Sequence, residues 1–336
     1  MILVTGGTGL VGGHLLYKLA KQNENIRATY RSEAKLKNVK AIFETYQKDY
    51  KTLYDIIDWV KADITDIPAL TDAMEGVEYV YHCAAFVSFE PDKYHQLRKI
   101  NIEGTANMVN ISMAAQVKKF CYVSSIAAVG SAPHTSPINE DIPWNPEANN
   151  NVYAITKYGA ELEVWRAMQE GLNGVIVNPG VILGPGIWRY GTGNLFKRAR
   201  KGFDFYTSGN VGLIAVNDVV NIMTTLMDQK ISNERFILIS EIWSYKDFIK
   251  HLAEAVNSPP PTKEASYLFL QIAWRLDWLK RKLTGKRRQL TKNLVHALTT
   301  KKEYDTSKIK STLDYKFTAI EDYITEVGRY YLKQEE

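Results

Sequence analysis

Residues 152–165 read VYAITKYGAELEVW, and Tyr153 and Lys157 stand four apart near the start of this helical pattern. Four residues is about one helical turn, so the two side chains share a face. That face is not the apolar one, because Tyr158, Leu162 and Trp165 form a separate stripe at i, i+4 and i+7. A phenol set beside an ammonium is equipped to move protons. A free tyrosine, with a pKa near ~10, is a poor base at neutral pH, and a neighbouring positive charge favours its phenolate. Ser124 and Ser125 end the apolar run KFCYVSS (119–125) and offer hydroxyls that could bind a reacting oxygen. Either serine can equally be read as a strand-end cap.

A second chemical motif lies near the N-terminus. In VTGGTGLVGGHLLYKL, Gly6, Gly9 and Gly12 are spaced G-x-x-G-x-x-G at the point where a strand gives way to a helix. In that context Gly6 makes a tight turn, Gly9 lets the backbone approach a pyrophosphate, and Gly12 lets helix and sheet lie close. The helix N-terminus then offers unpaired N–H groups to an anion. The residue that follows the second strand reports on the nucleotide's ribose. ATYRSEAK places Arg31 there, with Glu33 and Lys35 nearby. A guanidinium suits a 2′-phosphate, whereas a carboxylate repels it, which favours NADP over NAD; a solvated surface arginine is the alternative. Asp63, at the end of the third strand, can hydrogen-bond an adenine or cap the next helix.

The elements that must hold these groups are legible as alternating patterns. Strand candidates are 2–5, 26–30, 58–62, 78–84, 119–125, 174–179 and 235–240, with helical patterns at 10–21, 66–75, 92–116 and 152–171. Continuous apolar strands alternating with helices predict an α/β chain with a parallel sheet covered on both faces. Residues 34–57 read as a polar, helix-like insertion, 180–202 as a glycine- and aromatic-rich loop with a short helix, and 214–227 as helix. Beyond 265 the chain reads as helical with no obvious sheet. The expected division is a dinucleotide-binding domain of 1–180 and about 211–240, with a smaller, mostly helical substrate lobe of 181–210 and 241–336.

Composition narrows the partners. The 336 residues carry a net charge of +5 with basic and acidic residues interleaved, which does not fit a nucleic-acid binder. Cys83 and Cys121 are too few for a disulfide framework, lack metal-ligand spacing, and sit in apolar runs as expected of buried, inert thiols. No signal peptide precedes the first strand, and no apolar run reaches the ~20 residues of a membrane span, so a cytoplasmic setting is expected.

Taken together, Gly6–Gly12, DITD (63–66), HCAA (82–85), NIEGT (101–105), YVSSIAAVG (122–130), YAITK (153–157) and NPGVILGPG (178–186) resemble the extended short-chain dehydrogenases/reductases, the NAD-dependent epimerase/dehydratase family. The resemblance covers about the first 190 residues in the family's order and spacing, and VNDVV (216–220) continues it. It implies a doubly wound parallel Rossmann sheet. It also implies a catalytic set in which Tyr153 is the general acid/base, Lys157 lowers its pKa and holds the nicotinamide ribose, and Ser125, five residues before Gly130, orients the substrate oxygen, with Ser124 as the fallback. Cofactor contacts are implied for Gly6, Thr8, Gly9, Leu10, Val11, Gly12, Arg31, Asp63, Ile64, Ala84, Ala85, Asn101, Tyr153, Lys157, Pro179, Gly180 and Val181. His82 reads as a strand-end polar residue and not a metal ligand, and a homodimer formed through the helices at 92–116 and 152–171 is implied.

Three activities compete: an NADP-linked ketone/aldehyde–alcohol oxidoreductase, a nucleotide-sugar epimerase with bound NAD, and a non-catalytic dinucleotide-binding regulator. An intact Ser–Tyr–Lys set argues against the regulator. Ile126 and Ala127 replace the acidic pair of the family's 4,6-dehydratases, and Arg31 suits the NAD-retaining epimerases poorly, although Arg189, Lys197, Arg198 and Arg200 could hold a sugar diphosphate. FVSF (86–89), with Phe86 and Ser88, and Ile187, Trp188, Tyr190 and Phe196 suit an apolar substrate. These features resemble the dihydroflavonol reductase-like and 3β-hydroxysteroid dehydrogenase-like branch. The aromatic, basic stretch 267–288 reads as a lid or packing helix, with membrane-surface contact as the alternative.

Overall fold

The computed structural model describes residues 1–130, 137–284 and 290–335. Its strands are Ile2–Thr5 (β1), Ile26–Tyr30 (β2), Asp58–Lys61 (β3), Tyr79–His82 (β4), Lys119–Val123 (β5), Gly174–Pro179 (β6), Val181–Leu183 (β7), Phe205–Tyr206 (β8), Asn210–Ala215 (β9), Glu234–Leu238 (β10), Glu241–Ser244 (β11) and Lys263–Glu264 (β12). Its α-helices are Leu10–Lys21 (α1), Leu36–Tyr46 (α2), Lys51–Asp55 (α3), Ile67–Ala73 (α4), Tyr94–Leu97 (α5), Gly104–Ala114 (α6), Val152–Gln169 (α7), Gly193–Lys201 (α8), Val216–Asp228 (α9), Tyr245–Ala255 (α10), Tyr267–Thr284 (α11), Lys292–Thr299 (α12), Ser307–Leu313 (α13) and Ile320–Lys333 (α14).

All seven strands expected from the sequence form one sheet, in the order β10-β6-β5-β4-β1-β2-β3, with every pairing parallel. The central strands β1 and β6 are buried along their whole length, which explains their unbroken apolar runs, while the edge strand β3 carries exposed Asp58 and Lys61. One apolar layer joins a sheet face to α1, α2 and α9 through Leu15, Ile42, Phe43 and Met223. The other joins the opposite face to α4, α6 and α7 through Leu70, Met108 and Val164. The chain winds outward from β1 to β3, then returns to the other side of β1 as β4. The crevice between β1 and β4 is therefore the place where a doubly wound sheet accepts a ligand.

The region after Pro179 holds strands that periodicity did not reveal. β7, β9 and β11 form a separate three-stranded sheet, and β8 pairs with β12. The stretch read as helix from 214 begins with the end of β9, and the helix starts at Val216. These strands are short and pair with distant segments, so their apolar runs merge with those of the neighbouring helices. A third apolar cluster unites β9 with α8, α10 and α14 through Leu213, Phe196, Leu252 and Ile324.

One buried charge network ties the sheet edge to the site. Glu161 on α7 is only 1% exposed and pairs with Arg235 of β10 at 2.9 Å. Arg235 also donates to the Glu140 carbonyl, and Glu140 in turn accepts from the Ile237 N–H at 2.8 Å. A buried carboxylate deprived of its cation keeps its desolvation penalty. Arg235→Met is therefore expected to lower the unfolding free energy by about 3–5 kcal/mol, read as a lower urea midpoint with an unchanged slope. A loss below ~1 kcal/mol would show that the pair carries no such weight.

Candidate active site

The glycine turn is shaped by close approach. Gly6 has φ +70°, and a Cβ there would lie 2.6 Å from the Ala84 nitrogen beyond β4. The loop closes through a Gly9 N–H bond to the Gly6 carbonyl at 2.9 Å, and a Cβ on Gly12 would lie 2.4 Å from that same oxygen. Side chains would therefore fill the space the turn keeps open. The start of α1 has no side-chain cap and no acidic residue in its first turn, so the N–H groups around Leu10 and Val11 are available to an anion. These features fit a dinucleotide pyrophosphate.

Gly6, Thr8, Gly9, Arg31, Ile64, Ala84 and Ala85 line one cleft, together with Lys35, Cys83, Ile100 and Tyr190. Asp63 stands at its rim. One carboxylate oxygen caps Thr65 through N–H and hydroxyl bonds of 2.9 Å, and the other faces Arg31 at 3.6 Å. Asp63 thus caps the turn at Thr65 and not the helix that follows, whose cap is Asp66. Lys35 joins Arg31 as a second cleft cation, which spacing alone left ambiguous. Tyr190, read from sequence as facing the substrate, lies on the cofactor side, where its hydroxyl accepts from Asn38 at 2.6 Å. Asn38 also reaches the Thr8 carbonyl at 3.4 Å, and neither contact has a sequence signature.

The two serines that follow β5 have different fates. Ser124 donates to Glu161 at 2.6 Å and is buried beside Asn178, which bonds the same carboxylate oxygen at 2.8 Å. Ser125 accepts from the Ala127 N–H at 3.1 Å, and its hydroxyl stands near enough to the Tyr153 phenol to favour the phenolate. Asn151 caps α7 through the Ala154 N–H at 2.8 Å and so fixes where Tyr153 leaves the helix. Phe89 packs edge-on against Tyr153, with ring centres 5.5 Å apart.

Lys157 corrects one expectation. Its amine donates to the Tyr122 hydroxyl at 2.6 Å and to the Val123 carbonyl at 2.9 Å, and it is almost wholly buried. Desolvation lowers Lys157 to about 7, only partly opposed by the nearby Glu161. The expected depression of the Tyr153 pKa by Lys157 is not what the structure shows. Desolvation pushes Tyr153 up to about 12, and the nearby Ser125 hydroxyl only partly offsets this.

The remaining expected residues fall into place as follows. Asn101 spends its amide on both backbone polar atoms of Phe86 (2.7 and 3.0 Å) and on the Thr156 hydroxyl at 3.2 Å, so it braces the site wall. Pro179 ends β6 and Val181 opens β7, and between them the Gly180 N–H donates to the Leu238 carbonyl at 3.0 Å. Phe86 packs into the core while Ser88 is buried, its hydroxyl accepting from the Glu90 N–H at 3.3 Å. Trp188 packs edge-on with Phe196 and Tyr331, and its buried indole N–H has no partner among the described residues. Cys83 and Cys121 are free thiols, and burial pushes Cys83 up to about 12.

Fold and cleft define a doubly wound nucleotide-binding protein. The comparisons make the class specific. The model of the NAD dependent epimerase/dehydratase family matches residues 2–238, and the chain belongs to that family. A putative dihydroflavonol 4-reductase of Synechocystis sp. is 30% identical over 278 residues, 81% of this chain and 77% of that one. Sterol demethylase protein B of Methylococcus capsulatus is 29% identical over 264 residues, 77% and 75% of the two chains. The crystal structure of gox2253 superposes with a TM-score of 0.81 at 22% identity, covering 99% of this chain and 98% of that one, a likeness of fold. The protein is thus an enzyme of the extended short-chain dehydrogenase/reductase type, which sets the regulator aside.

His82 is a strand-end polar residue, as read from sequence, and fully internal. It bridges the hydroxyls of Thr5 (2.7 Å) and Thr105 (3.0 Å), and desolvation, aided by the Lys157 charge, lowers it to about 3. His14, bonded to Tyr46 and the Pro185 carbonyl, is lowered by burial to about 4. Both groups are neutral when folded but take up a proton near pH ~6.5 once unfolded. Stability is therefore expected to be intact above pH ~6.5 and to fall on acidification, by up to about 1.4 kcal/mol per pH unit for each histidine, until the folded-state values are reached. His82→Asn should flatten the slope of denaturation midpoint against pH; an unchanged slope would refute its role in it.

Proposed function

We propose that this enzyme is an NADP(H)-linked oxidoreductase interconverting a ketone or aldehyde and the matching alcohol on a largely apolar small molecule. The observation that carries the reading is the Ser125–Tyr153 hydroxyl pair, kept apart from the carboxylate network that takes up Ser124. The glycine turn and the start of α1 would hold the pyrophosphate, Arg31 and Lys35 the 2′-phosphate, and the region of Lys157 the nicotinamide ribose. The dinucleotide supplies the hydride chemistry when bound.

The protein's own groups handle the oxygen and its proton. Ser125 donates a hydrogen bond to the substrate carbonyl and orients it. Tyr153, held protonated at neutral pH by burial, delivers its phenolic proton to that oxygen as negative charge develops there. A phenol that begins protonated is ready to act as the acid in the reductive half of the interconversion. Lys157, tethered by Tyr122, places an amine beneath the site that can gain a proton near neutrality and stabilise the phenolate left behind. Phe89, beside the phenol, gives the site an apolar wall. Relatives named as a dihydroflavonol reductase and a sterol demethylase protein support a ring-bearing, apolar substrate.

The nucleotide-sugar epimerase is the second reading and shares the family. Less in the geometry supports it. Of the cations available for a diphosphate, Arg200 is engaged with Glu335 at 3.3 Å and the Val256 carbonyl at 3.2 Å, and Arg198 lies over the Phe203 ring. The reading includes a homodimer formed through α5, α6 and α7, supported by exposed Ile155 and Leu162 on α7. A cytoplasmic setting belongs to the same proposal.

Two expectations test this. With carbonyl substrates and NADPH absorbance as readout, Tyr153→Phe is expected to cut kcat by ~10²–10⁴ and Ser125→Ala by ~10²–10³, both with unchanged cofactor affinity. Ser124→Ala should instead reduce stability while sparing the chemistry; the opposite pattern for the two serines would sink the assignment. Arg31→Asp is expected to shift the ratio of NADPH to NADH affinity toward NADH by about 10- to 100-fold, and an unmoved ratio would exclude a 2′-phosphate contact.

A further inference from the structure

The helix α11 turns its apolar side outward. Leu270 is its one buried residue, whereas Leu268, Ile272, Leu276, Leu279 and Leu283 are all exposed, Leu268 at 70% and Leu283 at 76%. Advancing by about 100° per residue, these five side chains fall within about 80° of arc, a continuous aliphatic stripe directed away from the protein. The same spacing sets Arg275 and Lys282 along one edge of the stripe and Lys280 along the other; Arg275 also donates to the Gln271 carbonyl at 2.6 Å and lies over the Trp274 ring, and Lys282 lies over the Trp278 ring. The acidic Asp277 falls on the far side, where it accepts from the Leu290 N–H at 3.0 Å. Residues 285–288 of the stretch read from sequence lie outside the described residues.

The reading of 267–288 as a packing helix thus holds only for the side that touches the body. There Leu270 packs with Val295, Trp274 and Leu290, and Phe269 meets Phe205 with ring centres 5.2 Å apart. The opposite side repeats the pattern of a helix built for an interface between oil and water: aliphatic centre, cationic flanks, moderate length. Among the described residues no helix is long and apolar enough to cross a membrane, so such a helix would lie on a bilayer and not through it.

We infer that α11 is a membrane-surface docking helix, with its aliphatic stripe seated among acyl chains and Arg275, Lys280 and Lys282 on anionic headgroups. Charge complementarity chooses this occupant. Three cations bordering one aliphatic stripe, with the acid turned away, match a surface that is apolar within and anionic at its rim. The helix is also fixed to the active-site wall. Arg281 forms a two-point ion pair with Asp92, at 2.6 and 3.3 Å, three residues beyond the Phe89 that packs on Tyr153. The docked face is thereby coupled to the loop that borders the phenol. The docking itself does not depend on which reaction the site performs.

The test uses the full-length protein and cosedimentation with vesicles of phosphatidylcholine, with or without phosphatidylglycerol. Binding is expected to the mixed vesicles, to be weaker to pure phosphatidylcholine, and to fall as salt is added. The double variant Leu276→Glu/Leu279→Glu and the charge variant Arg275→Glu/Lys282→Glu should each lower partitioning by at least ~10-fold. Because these side chains are exposed, both variants should keep the wild-type thermal transition and NADPH affinity. Failure of the wild type to cosediment, or equal partitioning of wild type and variants, would overturn the inference. So would a stripe that proves to join two copies of the chain, seen as loss of an oligomer in sedimentation velocity without vesicle binding.

Discussion

The site depends on how closely the ends of β1 and β4 approach each other. At Gly6 there is no room for even a methyl group, because the backbone of Ala84 occupies the space where a Cβ would stand. That contact brings the start of α1, with its unpaired N–H groups, to the mouth of the crevice between the two strands. The second strand then delivers Arg31 and Lys35 to one end of the same cleft, and the fourth delivers Ala84 and Ala85 to its floor. A bulkier residue in the turn would collide with the Ala84 backbone and displace the lining of this cleft.

Around that frame, neighbouring hydroxyls are separated by electrostatics. Just beyond β5, Ser124 and Ser125 meet different partners. The buried Glu161 takes Ser124, Asn178 and Arg235 into one network, in which the Asn178 Oδ1 finds no partner among the described residues. Ser125 remains on the side of Tyr153. The carboxylate thus fixes α7 against β10 and holds Ser124, while Ser125 stays outside its network.

Burial also outweighs proximity in setting acidity. A lysine one turn from a tyrosine invites the inference that the cation acidifies the phenol. Here the lysine amine points into the sheet, toward Tyr122 and the Val123 carbonyl, and both groups respond chiefly to loss of water. Desolvation favours whichever form is neutral, so the phenol keeps its proton more firmly and the amine less so. The resulting pair suits a donor that gives its proton to a developing alkoxide, with an amine able to charge beneath it. His82 and Tyr122 extend this dry polar layer, stacked with ring centres 5.5 Å apart.

The sequence by itself determined the seven sheet strands, the helices between them, the glycine turn and the grouping of Tyr153 with Lys157. Each rests on a local signal, either a period of apolar residues or a fixed spacing within one element. It did not determine β7, β9 and β11, whose few residues gain strand identity only by pairing with segments far along the chain. Nor could it separate the roles of two adjacent serines, place Tyr190 on the cofactor side, send Trp188 into a packed cluster, or turn the stripe of α11 outward. Those outcomes depend on which surfaces meet after the sheet has formed, because hydrogen-bond competition and burial are properties of the assembled neighbourhood and not of a residue's place in the chain.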